Sequence, residues 1–244
     1  MGIWPFGSNN VSIKNSGLLN GMTDWHSHIL PGVDDGFKTL EDSLKALDIL
    51  EKEGVKKLWL TPHIMEDCPN ETADLIRAFE DLKLAYSGKI SLNLAAENMI
   101  DALFEERLEK KDFLPIGDDG RFLLVETSYF SPPMNMIQTL EQVQSAGYHP
   151  LLAHPERYRY MDEKDYQRLK EMGVFFQGNY FSIIGAYGNT ARKKLEWMLK
   201  MNMIDVIGSD LHRSSVLDRA LHDVPKKKKS LEALKAISKS NLQA

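Results

Sequence analysis

At 244 residues, 43% hydrophobic and 27% charged, the chain is long enough for one α/β barrel or two small domains and has the composition of an ordinary folded protein. A net charge of -5 argues against wholesale nucleic-acid binding, and the single Cys68 rules out an intrachain disulfide and fits a reducing compartment. No apolar run approaches the ~20 residues of a membrane span, and Met1–Ser8 lacks the basic and apolar regions of a signal peptide, so a cytoplasmic protein with no membrane-embedded part is expected.

Residues 1–20, rich in Asn, Ser and Gly, read as a tail or strap laid over the domain. From there short apolar runs alternate with helical patterns, the signature of βα units and a parallel sheet. The candidate strands are Gly21–His26, Lys57–Thr61, Ile90–Glu97, Arg121–Thr127, Pro150–His154, Val174–Asn179 and Ile204–Asp210. Amphipathic segments lie between them, such as Thr39–Lys52, with Leu40, Leu44, Leu47 and Leu50 on one face, and Glu71–Tyr86. Gly54, Gly147 and Gly173 each follow a helical stretch, where a left-handed cap is expected. Seven βα repeats without a long linker predict an α/β fold, a distorted TIM-like (β/α)7 barrel over residues 21–224. Residues 225–244 read as a basic linker, Lys226–Lys229, solvated after Pro225, and a short amphipathic helix over 230–237.

The strand ends carry the chemistry. His26 and His28 stand at the end of the first strand and Asp210 and His212 at the end of the last, and residues two apart on an extended chain point to one side. Between them, His63 follows the second strand, and Glu97, Glu126 and His154 close the third, fourth and fifth. In such a barrel the carboxyl ends of the strands converge on the active site. A polar residue closing one apolar strand means little; metal-competent side chains at six of seven strand ends predict a metal centre. Imidazole mixed with carboxylate suits Mn, Fe or Zn, and this many ligands exceed the needs of one ion, so two or three ions are expected. Asp34 and Asp35, in the loop after the first strand, are either turn residues before Gly36 or a further ligand. His149 and His222 read as ordinary satisfied histidines.

The ordered set Asp24-Trp25-His26-Ser27-His28, Val33-Asp34-Asp35-Gly36, Thr61-Pro62-His63, Ala95-Ala96-Glu97, Val125-Glu126, Ala153-His154-Pro155-Glu156-Arg157-Tyr158 and Gly208-Ser209-Asp210-Leu211-His212 resembles the polymerase-and-histidinol-phosphatase (PHP) metallohydrolases. More closely, it is similar to the manganese-dependent protein tyrosine phosphatases of bacterial capsule and exopolysaccharide clusters, over roughly residues 22–222. The resemblance implies a barrel of the PHP type and Mn2+ as the cofactor. Three ions would share His26, His28, Glu97 and Asp210; Glu97, Glu126 and His154; and Asp35, His63 and His212. It selects Asp35 over Asp34 by its offset from the first histidine. Arg157 falls where the family places a catalytic, phosphate-binding arginine; for a second such arginine Arg213 and Arg219 are both near, and Arg213 is taken as substrate-binding. Ile64-Met65-Glu66 departs from relatives that are basic there.

The resemblance implies hydrolysis of phosphotyrosine by in-line attack of a metal-bound hydroxide with no phosphoenzyme. A thiol mechanism is excluded by Asp74 standing where a Cys-x5-Arg loop from Cys68 would need arginine, and no Asp-x-Asp offers an aspartyl nucleophile. The implied partner is the phosphorylated tail of a bacterial tyrosine kinase that controls polysaccharide export. Met134, Met136, Tyr158 and Tyr160, near the mouth, read as packing residues with contact to such a tail as the alternative. Three rival functions stand beside this one: a small-molecule phosphomonoesterase such as a histidinol-phosphate phosphatase, an amidohydrolase, and a metal-stabilised barrel used for binding.

Overall fold

The computed structural model describes residues 11–243. Residues 1–10 of the expected tail lie outside the described residues. The rest of that segment forms a one-turn helix, α1 (Ile13–Ser16), and buries Ile13, Leu18 and Leu19 in the main core. Its Ile13 N–H donates to the Asp223 carbonyl at 3.1 Å, which ties the start of the described chain to a segment near its end.

The chain then winds as β1 (Thr23–Asp24), α2 (Leu40–Glu53), β2 (Lys57–Leu60), β3 (His63–Ile64), α3 (Thr72–Ala85), β4 (Ser91–Leu94), β5 (Glu97–Met99), α4 (Ala102–Lys110), β6 (Phe122–Glu126), α5 (Met136–Ser145) and β7 (His149–Ala153). It finishes as α6 (Glu163–Glu171), β8 (Phe175–Asn179), α7 (Gly188–Lys200), β9 (Val206–Gly208), α8 (Ser214–His222) and α9 (Lys228–Ile237). All strand pairs are parallel, in the orders β1-β2-β4 and β3-β5-β6-β7-β8-β9. The two sheets are one curled sheet with a break. β2 runs on into β3 across Pro62, which has no N–H for the ladder, and opposite this gap β4 runs on into β5 across Ala95 and Ala96.

Counted as continuous runs, the strands are the seven expected ones, forming a (β/α)7 barrel. Its two edges meet where the Trp25 N–H donates to the Ile207 carbonyl at 3.1 Å and the Asp210 N–H to the His26 carbonyl at 2.8 Å. Gly208 permits this approach, because a Cβ there would lie 2.5 Å from His26 Cβ. The first strand is shorter than the expected Gly21–His26. Beyond Asp24 no further ladder to β2 forms; Ser27 bridges Leu211, and its carbonyl accepts from Thr61 N–H at 2.8 Å.

Period-two alternation sorts the strand side chains into two layers. Leu123, Val125, Leu152, Phe176 and Ile207 face outward to the helices, while Trp25, Trp59, Phe122, Leu124, Leu151, Ala153 and Val206 fill the barrel. The Trp25 and Trp59 rings stack inside it with centroids 5.9 Å apart. Below them the Ser238 carbonyl accepts from Thr23 N–H and the Ser240 carbonyl from Trp25 Nε1–H, and Leu242 packs on the interior cluster. The expected linker of lysines is only partly one. α9 already begins at Lys228, since Leu231 and Leu234 need a partner for their apolar face, and Lys227 Nζ pairs with the buried Glu196 carboxylate at 2.7 Å.

Candidate metal centre

The same alternation that fills the barrel aims the ligands. Glu97 lies two residues beyond the inward Ala95, Glu126 two beyond Leu124, and His63 four beyond Trp59, so each points into the barrel above the apolar cluster. His154 does not follow the rule. It comes directly after the inward Ala153 and would face the helices, but its backbone is left-handed (φ 33°, ψ 54°), which turns the ring back inward. Asp210 is also left-handed (φ 52°). Non-glycine residues in this region cost of order 1–3 kcal/mol and persist where surrounding structure holds them; here both are ligand candidates.

Glu97 is the hub. Its Oε2 lies 3.1 Å from both His26 Nε2 and His28 Nε2 and 3.2 Å from His63 Nδ1, and its Oε1 lies 2.9 Å from His154 Nε2. Asp210 Oδ1 stands 3.6 Å from His26 Nε2 and 3.5 Å from His28 Nε2. Glu126 Oε1 is 3.1 Å from His63 Nδ1, and its Oε2 is 3.8 Å from His154 Nε2. At the rim, Asp35 Oδ1 is 3.3 Å from His212 Nε2 and 3.6 Å from His63 Nε2. The ligand atoms fall into groups that could each hold an ion: His28, Asp35, His63 and His212; His26, His28 and Asp210; His26, Glu97 and His154; His63, Glu97 and Glu126. Every ligand that the resemblance assigns is in one of these groups, Asp34 is in none, and no other described residue is in one. His26, His28 and His63 are shared more widely than expected, each falling in two groups.

The donor set fits cations. His63 Nδ1, Glu97 Oε2, Glu126 Oε1 and His154 Nδ1 are buried without a hydrogen-bond partner, and an orphaned buried polar atom costs roughly 1–3 kcal/mol. Protons respond to the same crowding of carboxylates. Burial works against charge on His26, but Glu97 and Asp210 hold its pKa up to about 9. His63 is held up to about 10 against burial by Glu97 and Glu126. Glu97 stays well below the usual carboxylate range despite burial because His26 and His63 face it. The hydrogen bond from His212 drops the Asp35 carboxyl in the same direction.

Several supporting contacts were not read from the sequence, although Asp34 was read there as a turn residue before Gly36, which its bond to the Gly36 N–H bears out. Asp34 is 8% exposed, and its Oδ2 accepts from His28 Nδ1 at 2.7 Å while its Oδ1 accepts from Gly36 N–H at 2.9 Å. It orients His28, whereas Asp35 faces the rim histidines. The sixth strand run supplies no ligand but carries the inward-facing Gln177 and Asn179. Asn179 Nδ2 donates to Asp210 Oδ2 at 2.8 Å, Gln177 Nε2 donates to Asn179 Oδ1 at 3.0 Å, and Gln177 Oε1 lies 2.6 Å from His26 Nδ1. The direction of this chain is fixed from the carboxylate end. Asp210 only accepts, so Asn179 must turn its NH2 toward it, and each amide then sets the next. The last step makes His26 Nδ1 the nitrogen that keeps its proton, so Nε2, which faces Glu97 and His28, is the one that would give up its proton to an ion. Polar inward positions on β8, the one strand run without an acid or histidine at its end, were the available signal.

Arg157 leaves the turn after β7 and donates Nη1–H to Asp210 Oδ2 at 2.5 Å. Its guanidinium sits between two rings, 4.3 Å from the Tyr129 centroid and 4.4 Å from that of Tyr187. Burial opposes the charge, and Asp210 more than restores it. A cavity of about 430 Å³ opens above the cluster, lined by His63, His154, Asp210, Arg157 and Arg213. Arg219 is not in that lining and reaches Asp223 on the surface. Of the apolar residues expected near the mouth, Tyr158 and Met136 are packed at 0% and 6% exposure, whereas Met134 stands fully exposed. His149 lies partly buried against Phe122 and Phe175, and His222 is exposed, both away from the cluster.

Fold and cluster together define a seven-stranded α/β barrel with a histidine–carboxylate centre at the carboxyl ends of its strands. Over residues 22–242 the chain matches the family described as capsular polysaccharide synthesis, CpsB/CapC, and it belongs to that family. It is 30% identical over 210 residues to the tyrosine-protein phosphatase CpsB of Streptococcus pneumoniae, covering 78% of this chain and 83% of the relative. It is 29% identical over 197 residues to the tyrosine-protein phosphatase YwqE of Bacillus subtilis, covering 78% and 77%. Among solved structures, it is similar to one from the work on YwqE and CpsB of those two species, described as unique metal-dependent tyrosine phosphatases. The TM-score is 0.75 at 25% identity, covering 90% of this chain and 88% of the other. A phosphotriesterase homology protein from Escherichia coli shares the fold alone, with a TM-score of 0.53 at 13% identity over 89% of this chain and 92% of the other.

Proposed function

We propose that this protein is a metal-dependent protein tyrosine phosphatase acting in capsular or exopolysaccharide biosynthesis. The observation that carries the reading is the convergence of four histidines on Glu97, with orphaned donor atoms on several members and an arginine at the rim. The metal-dependent tyrosine phosphatases among its relatives supply the substrate class.

In this reading His26, His28, Glu97 and Asp210 hold one ion, Glu97, Glu126 and His154 a second, and Asp35, His63 and His212 a third, with Mn2+ as the native metal. Bound there, the ions supply the positive charge that a phosphate monoester dianion needs before attack and acidify the attacking water. Everything else falls to the protein. Gln177 and Asp34 hold the His26 and His28 rings with their outer nitrogens protonated, so the inner nitrogens stay free. Arg157, fixed by two tyrosine rings and Asp210, has guanidinium N–H groups left over for two phosphoryl oxygens in a bidentate clamp. Arg213, lining the same cavity, adds a second positive side chain for the phosphoryl group. The leaving phenol has a pKa of about 10, so no strong protein acid is required beside it.

The physiological substrate in this reading is the phosphorylated tail of a bacterial tyrosine kinase in the cytoplasm. Among the described residues no helix is long and apolar enough to cross a membrane. The decisive experiment is phosphate release from a phosphotyrosyl peptide by manganese-reconstituted protein, with His154→Ala alongside. Activity in the wild type and its loss in the variant is the expected result. No turnover by fully metal-loaded wild type, with hydrolysis of histidinol phosphate in its place, would overturn the assignment.

A further inference from the structure

A second cavity, of about 590 Å³, lies on the other side of Arg157 from the metal cluster. The two cavities share a wall made of Tyr129, Arg157 and Tyr187. The second one is lined in addition by Phe130, Arg159 and the first residues of α7. Its two arginines differ. Arg157 is partly buried and paired with Asp210. Arg159 is exposed and lies 4.8 Å over the ring of Phe130, itself 67% exposed, and among the described residues it makes no ion pair. Its position is still defined, because its N–H donates to the Tyr129 carbonyl at 2.9 Å and the ring beneath holds the guanidinium.

The charge around this cavity is positive. Its acidic lining residue, Glu156, is 1% exposed, and its Oε1 already accepts from Asn179 N–H at 3.0 Å and Ser182 Oγ–H at 2.7 Å. The first turn of α7 carries no acidic residue, so the partial positive charge of that helix end adds to the arginine. The spacing matters too. Tyr158 between the two arginines is extended (φ -71°, ψ 118°), so both side chains leave the same side of the chain. An extended peptide rises ~3.3 Å per residue. A side chain one or two residues from a phosphotyrosine held at Arg157 is offset from it by roughly 3–7 Å along the peptide, the same order as the two-residue step from Arg157 to Arg159.

We propose that the second cavity is a subsite for an acidic side chain, Asp or Glu, one or two residues from the phosphotyrosine, held by Arg159 over the Phe130 ring. The inference rests on the phosphatase reading above and adds to it a sequence preference. Chemistry takes place at the metal cluster, and selection of the flanking residue takes place on the far side of the Tyr129–Arg157–Tyr187 wall.

The test uses manganese-loaded full-length protein and a neutral phosphotyrosyl peptide with glutamine at its flanking positions, compared with peptides carrying a single glutamate one or two residues to either side. At least one glutamate peptide is expected to exceed the neutral one by roughly three- to ten-fold in kcat/KM, the range of a partly exposed arginine–carboxylate contact. That ratio should fall toward one in Arg159→Gln, and toward one in wild type as salt is raised. Phe130→Ala, which removes the ring but keeps the charge, should give an intermediate ratio. Equal turnover of all peptides by wild type, or a preference that survives in Arg159→Gln, overturns the subsite. Turnover of free phosphotyrosine is measured in parallel, and its absence overturns the phosphatase reading itself.

Discussion

Replacing Gln177 with Met separates the support of the metal centre from its ligands. Gln177 is fully buried on β8, touches no substrate, and stands between His26 Nδ1 and Asn179 Oδ1. Methionine has nearly the same length but neither donates nor accepts strongly, so the barrel interior stays filled. Three groups lose a partner: the His26 Nδ1–H, the Asn179 side-chain oxygen and, through a longer contact of 3.4 Å, the His154 backbone N–H, at roughly 1–3 kcal/mol for each of the first two. His26 is 0% exposed, so water does not replace what is lost. Its ring is then free to take the other tautomer and present N–H, not a lone pair, to the cluster. Loss of such a supporting partner costs about 10–100-fold in metal affinity. Stability of the metal-free protein should fall as well, by about 2–4 °C in midpoint for each kcal/mol in a domain this size. Titration calorimetry with Mn2+ and thermal unfolding of the metal-free protein read the two effects separately. Wild-type affinity in Gln177→Met would refute the argument that the amide chain sets the His26 tautomer.

In metal-free protein His26 and His63 have pKa values near 9 and 10 against an ordinary value of 6.5, so their protonation stabilises the fold fully below pH 6.5. That stabilisation is lost as pH rises through 9 and 10, so the unfolding midpoint of metal-free protein should drop across this window while Mn2+ affinity rises; a flat profile in both would count against the proton–metal competition. Tyr129→Leu and Tyr187→Leu each remove one ring from Arg157, a cation–π contact worth about 0.5–2 kcal/mol, and should lower kcat/KM toward phosphotyrosyl peptide by roughly two- to thirty-fold with metal content unchanged. A fall in metal content would show that the rings act on the cluster instead. Leu124→Ala, at 0% exposure beneath Glu126, should destabilise by about 2–5 kcal/mol through the cavity it leaves, and denaturant unfolding that shows under 1 kcal/mol would mean the barrel interior collapses around the gap.

What the sequence made legible follows from periodicity. Alternating strands place every second residue inside the barrel, so an acid or histidine two or four positions past an inward apolar residue was readable as a member of one cluster, as at His63, Glu97 and Glu126. Proline at position 62 shows why strand boundaries were less readable: the missing N–H splits one strand run into β2 and β3, and the ladder opposite it breaks as well. Asp34 and Asp35 are adjacent and chemically alike, and only the folded loop assigns one to His28 and the other to the rim histidines. Tyr129 and Tyr187 meet on Arg157 from segments far apart in the chain, a contact no local pattern encodes.

His154 marks the boundary of that kind of reasoning. By alternation it belongs to the outer face, and the sequence placed it in the cluster because it ends a strand and because the motif Ala153–Tyr158 resembles that of the metallohydrolase family. The structure reaches that placement through a left-handed backbone that histidine does not favour, at φ 33°. Proline follows at 155 and opens a 3-10 turn that throws Arg157 back across the strand end to Asp210, itself left-handed at φ 52°. One arginine thus links the two left-handed residues, with His154 three positions before it and Asp210 as its partner. A left-handed Asp210 at one end of the ion pair and a left-handed His154 three residues before its other end are hard to explain by packing alone. They are explained if the fold holds both side chains in place for the ions and the phosphoryl group that meet between them.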